Sequence, residues 1–117
     1  MEYMLLIYGS EADGKKMSAA QHGEIFQEYH TFTQDLTKSG KNKGGAPLEQ
    51  STTATTVRVR NGKTVVTDGP FAETKEQLGG YYIVEAKDLD EAISIAARIP
   101  GAKNGSIEVR PIMKINM

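Results

Sequence analysis

The stretch "ATTVRVRNGKTVVT", residues 54–67, constrains the chain more than any other. Val57 and Val59 alternate with Arg58 and Arg60, the period-two pattern of a strand with one apolar and one polar face. Asn61-Gly62 is the pair best suited to the two successive positive φ angles of a type I′ turn. The chain must therefore reverse there and return along Lys63 to Thr67 as an antiparallel partner.

An antiparallel hairpin in mid-chain organises what flanks it. "EYMLLIY", Glu2 to Tyr8, is almost continuously apolar and suits a central strand covered on both faces. Gly9 to Lys16 reads as a polar loop. Ser18 then caps a helix in which Ile25, Tyr29, Phe32 and Leu36 fall within about 60° of one another, a narrow apolar stripe. Gly40 ends that helix. "GGAPLEQ", Gly44 to Gln50, is irregular, with room for an edge strand only, because Pro47 cannot donate to a central ladder. "GYYIVEA" is another strand. "DLDEAISIAARIP" is a second helix with Asp88 or Asp90 near its start and Pro100 after its end, and "GSIEVRPIM" closes the chain as a strand. The order β-α-β-β-loop-β-α-β predicts an α+β, ferredoxin-like split-βαβ sandwich, with both helices on one face of an antiparallel sheet. With no repeat or linker visible, residues 1–117 form a single domain in this reading.

Charge and composition narrow the function. The net charge is −1 with both signs interspersed, which argues against a nucleic-acid partner. Cysteine is absent, so disulfides, thiolate metal sites and a cysteine nucleophile are excluded. The early apolar run is too short for a membrane span, and a soluble, cytoplasmic protein without a membrane partner is expected.

Strand alternation assigns the polar side chains. If Val57, Val59, Ile107 and Val109 face the helices, Arg58, Glu108 and Arg110 face the other side of the sheet. That side either meets water or packs against a second copy and encloses a polar cavity. The neighbouring Tyr81 and Tyr82, on alternate faces, favour a homodimer.

Between the hairpin and the next strand lies "DGPFAETKEQLGG", Asp68 to Gly80, much longer than the roughly 2–6 residues a plain connection needs. This segment is expected to wall a ligand site. Asp68 begins a turn, where its carboxylate either closes an Asx-turn or serves as a general base or as the group that orients a histidine. His22 and His30 are the acid–base candidates near neutral pH; His22 falls near the apolar stripe and reads as a core residue, His30 on its flank. Arg58 and Arg110 are the candidate anion binders, with pairing across the sheet as the plainer alternative. Glu73 and Lys75 beside Phe71, together with Tyr81, complete the candidate ligand-binding set. Two histidines without carboxylates at ligand spacing predict no structural zinc, and no phosphate loop, nucleophile elbow or dinucleotide fingerprint is present.

"MEYMLLIYG", "TATTVRVRNGKTVVTDGPFAETKEQLGGYYIVEAKDLDEAISIAARIP" and "GSIEVRPIM" resemble the YCII-related family, specifically its DGPF-domain branch, over nearly the whole chain. The resemblance implies a ferredoxin-like fold and a dimeric α+β barrel, related in fold to muconolactone isomerase and to antibiotic-biosynthesis monooxygenases. It also implies an association of many bacterial members with sigma-factor systems of the extracytoplasmic-function type. In the family a histidine on the first helix and an aspartate in the "DGP" loop are the proposed catalytic pair. Asp68 matches the aspartate, and Tyr29 or His30 falls nearest to the histidine's place. The combined expectation is a small acidic ligand in a polar cavity at the DGPF loop, with isomerisation or elimination next to a carbonyl and no cofactor. The alternative is a non-catalytic regulatory or interaction module tied to a sigma-factor system.

Overall fold

In the computed structural model, which describes residues 1–116, strand β1 (Glu2–Gly9) runs into a one-turn helix α1 (Glu11–Lys15), where a loop is expected from sequence. Ser10 accounts for the extra helix: its hydroxyl accepts from the Asp13 backbone N–H at 3.1 Å, satisfying a donor that a helix start leaves free. Helix α2 (Ala19–Lys38) begins at Ser18 with a full capping box, in which Ser18 and Gln21 each satisfy the other's backbone N–H. Strands β2 (Asn42–Pro47), β3 (Thr55–Arg60), β4 (Lys63–Asp68) and β5 (Gln77–Glu85) follow, then helix α3 (Leu89–Ala97), capped by Asp88, and β6 (Ser106–Pro111).

Four strands form one antiparallel sheet in the order β2-β5-β1-β6. This is the split-βαβ order of a ferredoxin-like sandwich. Pro47 sits at the end of the edge strand β2, where its missing N–H costs the ladder nothing. Register puts Tyr3, Leu5 and Ile7 of β1 on the same face as Val84 and Tyr82 of β5 and as Val109 and Ile107 of β6. That face packs against Phe32 and Leu36 of α2 and Ala92, Ile95 and Ala96 of α3. Phe32 meets Tyr82 edge-on, with ring centroids 5.2 Å apart at 77°, and the Arg98 guanidinium lies over the outer side of the same ring at 5.6 Å. The opposite face, with Met4, Leu6, Tyr81 and Ile83, has no helix above it and stays half-buried.

The hairpin departs from expectation. β3 and β4 pair with each other, but with neither edge of the main sheet. Asn61 (φ 54°) and Gly62 (φ 73°) form the turn with the two left-handed residues it requires. The result is an arm rather than two sheet strands. Val57, Val59 and Val66 are 60–62% exposed, so they do not face the helices. The arm explains a radius of gyration of 16.3 Å, where about 13 Å is usual for this length.

Leu5 is fully buried between both helices and the sheet. Leu5→Ala is expected to lower unfolding free energy by about 2–5 kcal/mol, and Val59→Thr on the arm of an isolated chain by less than about 0.5 kcal/mol, both measured by urea denaturation.

Candidate functional site

The apolar stripe of α2 divides along its length. Phe32 and Leu36, in the C-terminal half, are seated in the core. Ile25 and Tyr29, in the N-terminal half, are only half-buried, and Phe26 is 75% exposed. Between that N-terminal half and the sheet lies a cleft of about 1030 Å³, the size of a small-molecule site.

Composition explains why the helix does not close down on the sheet. The surface opposite α2 is built from Gly9 at the end of β1, Gly45 on β2, Gly79 and Gly80 on β5, and Gly101 and Gly105 in the connection to β6. Glycine supplies no side chain to fill the space. Aromatic and apolar groups, Ile7, Phe26, Tyr29 and Tyr82, line the walls. His30, Thr33, Lys103 and Asn104 bring polar groups to the rim.

Several of these groups are held in place. The Tyr29 phenolic oxygen accepts a hydrogen bond from the Gly101 backbone N–H at 3.2 Å. Burial pushes the Tyr29 phenol above its ordinary pKa, and the Gly101 N–H only partly offsets this. The Tyr82 hydroxyl is 2.6 Å from the Thr33 hydroxyl and shares a proton with it in a hydrogen bond. Glu28 faces Lys103 at 3.9 Å across the rim, in the range of a weak, solvated pair.

One end of the cleft is fastened by Glu11. Its carboxylate accepts from the Ser51 backbone N–H at 2.7 Å and the Ser51 hydroxyl at 2.6 Å, and its own backbone N–H donates to Gln77 Oε1 at 2.9 Å. One residue thereby ties α1 to the 3-10 turn Ser51–Thr53 and to the start of β5. The Ser51 hydroxyl, followed by the Ser51 N–H, holds the Glu11 carboxyl below the usual carboxylate range.

Among the residues singled out from sequence, His30 and Tyr81 line this cleft. The others stand elsewhere. Asp68 ends β4, is exposed, and among the described residues has no side-chain hydrogen-bond or ion-pair partner. Just after it, the Gly69 N–H extends the β3–β4 ladder by donating to Ala54 O at 2.7 Å, and among the described residues the Asp68 carboxylate closes no Asx-turn. Arg58 lies on the arm. Arg110 is on the open sheet face, ion-paired with Glu108, which keeps its guanidinium still more firmly protonated. Phe71, Glu73 and Lys75 are exposed in the loop before β5. His22 is exposed on α2, its Nε2 3.0 Å from Gly14 O, so it is not the core residue its position suggested. Only the second half of the long segment, Gln77 to Gly80, meets the cleft, which sits on the helix side of the sheet rather than under the DGPF turn. Tyr29, which its spacing marks as part of the core stripe and the family resemblance sets near the histidine's place, also lines the cleft. Lys103 and Asn104 were legible only as part of "PGAKNG", the glycine-punctuated stretch after the second helix.

A family model described as the YCII-related domain matches residues 1–116. The chain belongs to the YCII-related family. An uncharacterized protein of Rhizobium meliloti (strain 1021) is 37% identical over 114 residues, covering 96% of this chain and 92% of that one. Among solved structures, 5-chloro-2-hydroxyhydroquinone dehydrochlorinase from Burkholderia phenoliruptrix, in complex with 2,5-dihydroxybenzoquinone, matches with a TM-score of 0.55 over 97% of this chain and 94% of that chain. Its sequence identity is 16%, so the likeness is one of fold. No helix among the described residues is long and apolar enough to cross a membrane.

Because the Glu11 pKa is depressed on folding, its bonds to Ser51 stabilise the fold at neutral pH, and that contribution is lost as pH falls below about 4.3. Glu11→Gln is expected to be less stable than wild type at pH 7, with the gap narrowing at pH 3, as read from denaturation midpoints at the two pH values.

Proposed function

We propose that the chain is a cofactor-independent enzyme of the isomerase or lyase kind, acting on a small acidic, oxygen-bearing compound in the cleft beneath α2. The carrying observation is the make-up of that cleft. A glycine floor and aromatic walls leave room for a flat molecule, and His30 lines the same cleft as Tyr29 and Tyr82. An acid–base group and hydrogen-bond donors in one cleft are what proton transfer beside a carbonyl requires.

In the proposed step His30 removes a proton from the carbon next to the carbonyl. The C–H electron pair moves toward the carbonyl and leaves a negative charge on its oxygen. In an elimination the pair returns to form C=C while a leaving group departs with its bonding electrons. In an isomerisation the proton goes back to a different carbon. Lys103 supplies the positive charge at the rim that an acidic ligand favours, a role assigned from sequence to Arg58 and Arg110. The dehydrochlorinase of like fold is named for an elimination and was solved with a dihydroxyquinone, which supports this class of chemistry here.

The working unit in this reading is a homodimer. The half-buried face carrying Met4, Leu6, Tyr81 and Ile83 and the exposed valines of the arm are two apolar surfaces that a second copy would cover. A lone two-stranded hairpin is marginal in water, so the arm gains its stability by lying on another surface. A second copy's arm is also the route by which Asp68 would join a cleft that its own chain does not bring it to.

Two measurements test the reading. His30→Gln is expected to fold normally and to lose about 10²–10⁴-fold in kcat on any compound the protein turns over; an unchanged kcat removes His30 from the mechanism. Sedimentation equilibrium is expected to give twice the 12.8 kDa chain mass, and a single 12.8 kDa species contradicts the dimer.

A further inference from the structure

The geometry points to Tyr29 as the donor that grips an acceptor oxygen of the ligand, a carbonyl, enolate or phenolate, at the inner wall of the cleft. This inference rests on the proposed use of the cleft and names the chemistry its occupant must present.

The argument begins with hydrogen-bond capacity. A phenol has one O–H to donate and an oxygen that accepts. The Tyr29 oxygen is already engaged as an acceptor by the Gly101 N–H at 3.2 Å. Among the described residues nothing accepts the Tyr29 proton, so that proton is free for whatever enters the cleft. The hydroxyl is also fixed in place. A Cβ added at Gly101 would lie 2.6 Å from the Tyr29 oxygen and 3.2 Å from Ile7 Cγ2, so the loop can approach this closely only because residue 101 is glycine. A backbone donor cannot rotate away as a side-chain donor can, and it orients the phenol before any ligand binds.

The charged groups around Tyr29 fit a donor rather than a base. From its own helix Glu28 faces it, with Lys103 opposite; Tyr82 approaches from β5, and His30, Glu11 and Asp13 lie farther along the cleft. Burial, Tyr82 and Glu28 all favour the neutral phenol. The Glu11 carboxylate is engaged by Ser51, and Lys103 faces Glu28 in a weak, solvated pair. A protonated phenol at this point stabilises negative charge as it develops on an oxygen, the complement of a proton leaving toward His30.

The test uses 2,5-dihydroxybenzoquinone as the probe, titrated by calorimetry and by its visible absorption into wild type, Tyr29→Phe, Gly101→Ala and His30→Gln. Wild type is expected to bind and to shift the quinone band. Tyr29→Phe keeps the ring and loses only the hydroxyl; it is expected to bind about 3- to 10-fold more weakly, with the band shift reduced, the size of one neutral hydrogen bond. Gly101→Ala retains the hydroxyl but displaces it, and is expected to show the same loss, so the contact is read even if Tyr29→Phe folds poorly. Wild-type binding with both Tyr29→Phe and Gly101→Ala within twofold of wild type and the band shift intact would overturn the role of Tyr29 while leaving the cleft reading standing. Wild type failing to bind would overturn both.

Discussion

The structure depends on how one helix lies on one sheet. α2 has a continuous apolar stripe, yet only its C-terminal half, Phe32 and Leu36, is seated fully in the core, with Tyr29 packed at its edge. Phe32 and Leu36 meet Tyr3, Leu5, Val84 and the small residues of α3, and the contact is dry. A turn and a half earlier the same stripe faces glycines, and the helix spans a hollow it cannot fill. Core and cleft draw on a single hydrophobic pattern, and the split is decided by the residues opposite, not by the helix itself.

That division shapes the rest of the site. A helix held at one end could swing, and the structure restrains it at the other through polar contacts. Gly101 N–H holds Tyr29, and the Ser18–Gln21 capping box fixes the first turn. Across the mouth, Glu11 joins α1, the Ser51 turn and β5. The Tyr29 and Glu11 bonds lie at half-buried positions and are each worth far less than the core, but together they fix the aromatic wall relative to the floor.

Much of the fold was legible. The Ser18 and Asp88 caps, the Asn61-Gly62 turn and the apolar first strand each carry a local signal strong enough to survive tertiary context. What sequence could not show was that, among the described residues, the hairpin pairs with no other strand, because alternation predicts two faces without saying what covers either. Val57 and Val59 look like core residues by that rule, and the structure leaves them in solvent. The cleft under α2 was not legible for a related reason. Asp68 and its loop stand out by composition, whereas a cleft made by missing side chains leaves its mark as scattered glycines at positions 9, 45, 79, 80, 101 and 105. These come together only through topology, and Tyr29, His30 and Tyr81 are the candidates read from sequence that line the space they leave.

The claim that the hollow under α2 is where ligand binds is tested most directly by amide chemical shifts on titration with the quinone. The account predicts that the largest changes fall at Gly79, Gly80, Gly101 and Gly105 around the floor. Changes confined to the arm and to residues 68–75, with the floor glycines unmoved, would contradict it.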